Sequence, residues 1–333
     1  MKFVTWNCNG ALRKKYTVLD ELDADILIIQ ECEDPSLSTR AYVEWAGDHL
    51  WTGKSKHKGI GVFSKKGITL KKLDWPDEGL QQFLPIRVND SFNLLAVWAM
   101  QAQSPTYQYI GQFWKYLQLN KVELAESNTV ICGDFNSNVI WDKKRRHWNH
   151  GDVVRELSDL GILSMYHQTS GERQGEETQP TLYMHRKLER PYHIDYVFVA
   201  KNLLNGGTLE IGHPDKWLSI SDHMPIMFNL PLQTSKDSAR DESRSQLREK
   251  IWEILPREEN QYRFDDNNSG TEYTHNAIMD LWEKGLCVND DRKKAVLLLH
   301  MIMFHDRMNS ESGNFKFIDE HKDLIESILL QLT

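Results

Sequence analysis

Asp134 and Asn136 follow directly on an apolar, β-branched run, Thr129-Val130-Ile131-Cys132, which has the make-up of a short buried strand and stops at Gly133. A carboxylate at the mouth of a core strand resists leaving water unless a cation or hydrogen-bond donors compensate it. Gly-Asp-x-Asn therefore either caps the next turn or helps to build a polar site. Recurrence favours the site. Lys2 to Trp6 runs into Asn7 and Asn9, and Asp25 to Gln30 runs into Glu31. Ser221-Asp222-His223 leads into the apolar run from Met224 to Leu230, and Asp195 interrupts the one from Tyr192 to Ala200. Strands laid side by side would bring these carboxylates, carboxamides and the imidazole to one place.

The elements that must do so read as an alternation. After the first strand, Leu12, Val18, Leu19 and Leu22 mark a helical stripe, and the uninterrupted Asp25–Ile29 segment is a strand buried on both faces. A helix over 39–46 and strands over 49–52 and 59–64 follow, then a strong strand over 92–100, a helix over 107–119 and the strand over 128–132. Asp152 is expected to cap a helix from Val153 to Leu160 that Gly161 ends, and 168–179 reads as a polar loop. Strands over 181–184, 192–200, 207–211 and 223–230 make the second half richer in β structure, and the whole is an α/β domain.

Composition sets the class. With 333 residues and 40% hydrophobic content the chain can bury a sizeable core, and no apolar run approaches the length of a membrane span. The opening MKFVTWNCNG enters a strand pattern without the layout of a secretory signal, and Cys8, Cys32, Cys132 and Cys287 show no C-x-x-C spacing. A cytoplasmic protein is the expectation. By strand alternation Cys8 and Cys32 should point away from the face that carries Asn7 and Glu31. A net charge of −8 counts against non-specific coating of nucleic acid, but cations gather locally at Lys54, Lys56, His57 and Lys58 and at Lys143, Lys144, Arg145, Arg146 and His147.

Past residue 232 the character changes. Residues 233–246 are charged and Ser-rich and read as a linker, and 247–333 carries four helical patterns, over 247–255, 274–286, 292–305 and 317–332. His300 and His305 lack the spacing of a zinc pair, and the tail holds no chemical motif; its apolar helices call for a packing partner, within the tail or on another surface, that of the main domain or of a partner protein.

Taken together, TWNCNG, IIQE, ICGDFNSN, HIDYVF and SDHMPI resemble the endonuclease/exonuclease/phosphatase superfamily, over residues 1 to about 231. The resemblance implies a DNase I-like sandwich of two packed mixed β-sheets flanked by helices, here followed by a C-terminal helical module. It also implies a divalent cation, Mg²⁺ or Mn²⁺, on Glu31, with Asn7 and Asn9 beside it and Asp222 completing the metal side. Asp134 and Asn136 would orient and activate water, and His223, oriented by Asp195, would face the scissile phosphate. The chemistry needs these types. An anionic phosphodiester repels an anionic nucleophile, so a cation and donors must neutralise it while a carboxylate orients water. Oxygen donors suit Mg²⁺ or Mn²⁺, and an imidazole held by a carboxylate can carry positive charge.

Two departures bear on substrate. Exonuclease III-like members carry a Tyr after the strand corresponding to 92–100, where the nearest candidates here are Trp98 and Gln101. Their abasic endonucleases favour an Arg before the buried Asp, where this chain has His193 and Ile194. The 5-phosphatase signature is missing. The leading expectation is a metal-dependent nuclease acting on DNA, with Lys143, Lys144, Arg145 and Arg146, interleaved with Trp141 and Trp148, meeting the strand. The alternative is a phosphatase or a phospholipid or small-molecule phosphodiesterase of the same superfamily.

Overall fold

The computed structural model describes residues 1–102, 104, 106–125 and 128–231, together with 247, 250, 325, 326, 329 and 330. The chain divides into two compact units, Met1–Gln233 and Thr234–Thr333. The linker expected over 233–246 and almost all of the four helical patterns beyond it, with His300 and His305, lie outside the described residues.

In the first unit the strands are β1 (Lys2–Asn7), β2 (Ile26–Cys32), β3 (His49–Ser55), β4 (Lys58–Ser64), β5 (Leu70–Lys72), β6 (Phe83–Val88), β7 (Phe92–Trp98), β8 (Thr129–Asp134), β9 (Ile162–Ser164), β10 (Leu182–Tyr183), β11 (Pro191–Tyr192), β12 (Asp195–Ala200), β13 (Thr208–Ile211) and β14 (Ile226–Asn229). The helices are α1 (Thr17–Asp20), α2 (Arg40–Ala46), α3 (Ile110–Leu119), α4 (Lys121–Ala125), α5 (His150–Asp159), α6 (Met165–Ser170) and α7 (Pro214–Trp217). Two six-stranded sheets form, ordered β13-β14-β1-β2-β4-β3 and β5-β6-β7-β8-β12-β9, and β10 and β11 make a separate hairpin. Each sheet is mixed, with one parallel pair, β1 with β2 and β7 with β8, among antiparallel neighbours.

Strand alternation explains the layering. Phe3, Ile26, Ile28 and Val62 of the first sheet meet Ile86, Leu94, Val130 and Val197 of the second in one apolar core. The intervening residues face outward. Val4, Trp6, Leu27 and Ile29 are covered by Leu12, Leu19, Tyr42 and Trp217, and Leu95, Ile131 and Phe198 by Phe113, Leu117, Val153 and Leu157 of α3 and α5. With a period of two, Asn7 shares the inner face with Phe3 and Thr5, Asp134 shares it with Val130 and Cys132, and Asp195 with Val197 and Val199. The polar residues therefore end the core between the sheets. Cys8 packs in the outer cluster, away from Asn7 as alternation requires, and Cys32 packs there too, although alternation from Ile26 and Ile28 would turn it inward, because the register of β2 shifts between Gln30 and Cys32.

Some boundaries differ from the sequence reading. Asn149, and not Asp152, caps α5; Asp152 sits three residues in and accepts from the Asn149 amide, closing a capping box. The expected helix over 12–22 breaks into a 3₁₀ turn, Leu12–Lys14, and the short α1. Strands β5 and β6 were not marked by periodicity, because Pro85 interrupts one and Lys71 and Lys72 the other. The loop over 168–179 begins in α6 and folds onto two of its own carboxylates: Thr178 donates its amide to Glu172 at 2.9 Å, and Gly175 donates to Glu177 at 3.0 Å. No helix among the described residues is long and apolar enough to cross a membrane.

Candidate active site

Asp134 ends β8 fully buried, opposite Asp195 in the antiparallel pairing with β12. Gly133 before it has φ +140°, and a Cβ there would lie 2.0 Å from the Val97 carbonyl oxygen, so only glycine lets β7 approach β8 so closely. Three donors fix the carboxylate. Asn136 gives its backbone N–H to Oδ1 at 2.8 Å and its side-chain amide to Oδ2 at 2.9 Å, and Asn7 gives Nδ2 to Oδ2 at 2.9 Å. Asn136 also donates to the Ala99 carbonyl at 3.1 Å, which fastens the loop after β8 to the end of β7.

Beside this knot lies a second one. His223 turns Nδ1 to Asp195, 2.9 Å from Oδ2, which leaves Nε2 as the nitrogen to meet a substrate. Thr181 Oγ1 accepts the backbone N–H groups of both Ile194 and Asp195 at 3.0 Å, and the Thr181 carbonyl accepts from Met224 at 2.7 Å, tying together the two segments that carry the dyad. Ser221 donates Oγ to the Asn7 carbonyl at 2.8 Å and accepts the His223 amide at 3.1 Å, and Trp6 Nε1 donates to the His223 carbonyl at 2.9 Å. Ligand atoms of Asp134, Asp195 and His223 all lie within 4.8 Å of one another.

The electrostatics follow from the burial. Desolvation, and then the Asp195 carboxylate, raise the pKa of Asp134 against the lowering pull of His223 and the amide donors. Burial disfavours charge on His223, but Asp195, then Asp134 and Asp222, outweigh it and raise the imidazole, which is held as a cation at neutral pH.

Glu31 reaches the site by a distortion. Pairing of β2 with β4 shifts register between Gln30 and Cys32, and Glu31 at this bulge has φ +61°, a conformation costly for a side chain with a Cβ. Asn9 and Asn136 also have positive φ, at 53° and 47°. Asn7 Nδ2 stands 3.4 Å from Glu31 Oε1, and Asn7 Oδ1 accepts the Asn9 amide at 3.0 Å. Asn9 Nδ2 donates in turn to Asp222 Oδ1 at 2.8 Å. The donor set fits a hard divalent cation. Asp195 and His223 satisfy each other, which leaves Glu31, Asp134, Asp222 and the carboxamide oxygens as all-oxygen ligands. A cation already occupies one of them, for the Lys58 ammonium lies 2.5 Å from Glu31 Oε2.

The structure thus brings Asn7, Asn9, Glu31, Asp134, Asn136, Asp195, Asp222 and His223 together. It separates others. Trp98 is only 4% exposed and belongs to the core between the sheets, where a substrate has no access. Gln101 is exposed beyond the end of β7. Lys143, Lys144 and Arg145 are exposed, whereas Arg146 is engaged in holding its own loop, with Nε on Asn149 Oδ1 at 2.7 Å and Nη2 on the Trp141 carbonyl at 3.3 Å. Sequence reasoning overlooked Ser221, Thr181, Lys58 and Tyr109. Ser221 stands inside a quoted motif and Lys58 in a noted basic cluster. Tyr109 follows β7 in a turn with φ +51°, is 37% exposed, and shares a cavity with Asn136.

The model of the Endonuclease/Exonuclease/phosphatase family matches residues 4–223. No curated protein matches the sequence. Among solved structures, an AP endonuclease from Archaeoglobus fulgidus is 19% identical with a TM-score of 0.54, over 70% of this chain and all, 100%, of that one. A 3′ phosphatase, NExo from Neisseria, bound to a product DNA hairpin is 18% identical with a TM-score of 0.52, over 70% and 100%. A 3′-5′ exonuclease from Neisseria meningitidis gives the same values, 18%, 0.52, 70% and 100%. At such identities these structures share the fold. The family match spans the site from β1 to His223, and with it the chain belongs to the Endonuclease/Exonuclease/phosphatase family, whose members are divalent-metal-dependent phosphoesterases.

Proposed function

We propose that the chain hydrolyses phosphodiester bonds in nucleic acid, DNA above all, with Mg²⁺ or Mn²⁺ as cofactor. The carrying observation is the pairing of two knots, Asn7-Asp134-Asn136 and Asp195-His223, at one end of the inter-sheet core. A cationic, aromatic-lined cavity adjoins the first of them through Asn136. Similarity to structures of a DNA hairpin-bound 3′ phosphatase and an AP endonuclease supports nucleic acid as the substrate class. The buried, unpaired thiols of Cys8, Cys32 and Cys132 support a reducing, cytoplasmic setting.

In this reading Asp134 takes the proton of the attacking water. Its raised pKa matches a base that works near neutrality, and three donors hold it in one orientation. A bond from water oxygen to phosphorus forms as the bond to the leaving oxygen breaks. His223 presents an imidazolium to the phosphate oxygens, and Asp195 keeps it charged and aimed. Glu31, with Asn7, Asn9 and Asp222, would hold the divalent cation, which when bound neutralises phosphate charge. Tyr109, in place of the buried Trp98, offers the phenol on the substrate side.

The test is a substrate screen of the purified protein with Mg²⁺, with and without EDTA, on duplex DNA, single-stranded DNA, abasic DNA, RNA and phosphoinositides. DNA cleavage that chelation abolishes is expected. Turnover of phosphoinositides alone would move the assignment to the lipid phosphodiesterase alternative, and activity that survives exhaustive chelation would overturn the metal assignment.

A further inference from the structure

Beside the reactive carboxylate lies a cavity of about 580 Å³, within the range that holds small ligands. Its walls come from the turn before α3 and from the loop between β8 and α5. They include Tyr109, Trp141, Trp148, Lys143, Arg145 and, at the inner end, Asn136. Asn136 is the residue that donates to Asp134 at 2.9 Å, so one wall of the cavity is one hydrogen bond away from that carboxylate.

Its aromatic walls differ in how they are held. Trp148 is anchored: its ring lies 4.6 Å from Tyr107, and a Cβ on Gly111 would come within 3.0 Å of it. Trp141 leans on Tyr192 at 5.3 Å yet remains 42% exposed, and Tyr109 remains 37% exposed. The two half-exposed rings offer flat apolar faces on which a planar group can stack. Cations flank them. Lys143 and Arg145 are exposed and form no ion pair among the described residues, in contrast to Arg146, which is tied to Asn149.

We propose that this cavity seats the base of an unpaired nucleotide adjoining the scissile phosphate, with Trp141 as the stacking platform and Lys143 and Arg145 on the neighbouring phosphates. The substrate class is then single-stranded or end-splayed polynucleotide. Inside a duplex the base faces are already stacked on one another and paired, and a wall of rings next to the backbone can engage only a base that has left the helix. The inference rests on the nucleic-acid reading above and narrows it.

Two measurements test it. The protein in EDTA, so that strands are bound and not cut, is titrated with one oligodeoxynucleotide as a single strand and as a blunt duplex, at fixed salt. The single strand is expected to bind more tightly, and Trp141→Ala is expected to shrink the ratio of the two affinities by about 5- to 150-fold, the equivalent of one lost base stack. Placing 2-aminopurine along the single strand should reveal a position whose fluorescence wild-type protein quenches and Trp141→Ala does not. Equal affinities for both strands, or a ratio and quenching that Trp141→Ala leaves unchanged, overturn the pocket assignment while cleavage of DNA with Mg²⁺ would leave the nuclease reading standing. Absence of both binding and cleavage on every polynucleotide overturns the two together.

Discussion

His150 offers a prediction whose size follows from its surroundings. It is fully buried at the start of α5, its ring lies 4.7 Å from that of Tyr196, and neither ring nitrogen has a hydrogen-bond partner. Burial pushes its pKa from the ordinary 6.5 down to about 3, against a weaker opposing pull from Glu177. The folded protein therefore keeps the imidazole neutral while the unfolded chain binds a proton below pH 6.5. Stability from this group is full above that pH and is lost as pH falls toward the folded value. At pH 5 protonation of the folded form is negligible, so the loss depends on the unfolded pKa alone and comes to about 2 kcal/mol between pH 7.5 and 5.0. His150→Leu removes the titration and the two unpartnered nitrogens together. Urea unfolding at the two pH values, followed by tryptophan fluorescence, reads mainly the first unit, since Trp252 and Trp282 alone lie beyond it. Wild type should lose about 2 kcal/mol more than the variant between pH 7.5 and 5.0. Parallel losses in the two proteins would show that His150 is protonated or hydrated in the fold, and the account of this buried cluster would fail.

Asp134→Ala and His223→Ala should each lower kcat by at least about 10²-fold with the thermal midpoint of the first unit retained, and Asp195→Asn should approach them by releasing His223; near wild-type kcat in either alanine variant would exclude the site. Glu31→Gln should raise the Mg²⁺ concentration needed for half-maximal activity. Lys58→Met should instead tighten Mn²⁺ binding, measured by titration calorimetry without substrate, because the ammonium at 2.5 Å competes for Glu31; unchanged affinity would show that Lys58 leaves the carboxylate when metal arrives. Neutralising Lys143, Lys144 and Arg145 should reduce the log–log salt slope of DNA binding by on the order of one per lost phosphate contact, while Arg146→Ala should act mainly by loosening the loop that presents them. Ending the chain near Ser238 should leave a soluble unit that still cleaves a generic substrate with metal; folded but inactive protein would mean that the tail contributes to catalysis.

What could be read from residue order alone divides along a physical line. Asp134, Asp195 and Asn7 were legible because each sits on a regular strand, where a period of two carries an apolar face straight into a polar end; the inner faces of β1, β8 and β12 are that pattern in space. Trp98 was misplaced by the same rule. It shares the inner face with Leu94 and Ala96, so alternation alone sends it into the core, and position near a strand end was given too much weight. Glu31 was found through its motif, yet its delivery to the site depends on a bulge at φ +61° that no alternation pattern announces. Lys58 and Tyr109 were missed for a related reason: one crosses to Glu31 from the adjacent strand, the other arrives through an irregular turn, and both approaches are tertiary. Regular strands thus carry the buried half of the site, the half to which the proposed function gives the orientation of water and of His223. The exposed half, to which it gives the substrate, stands on bulges, turns and the loop between β8 and α5. Substrate preference can therefore change among chains sharing these motifs while the buried groups stay fixed, and it is at Tyr109, Trp141 and Lys143 that a change of substrate should be sought.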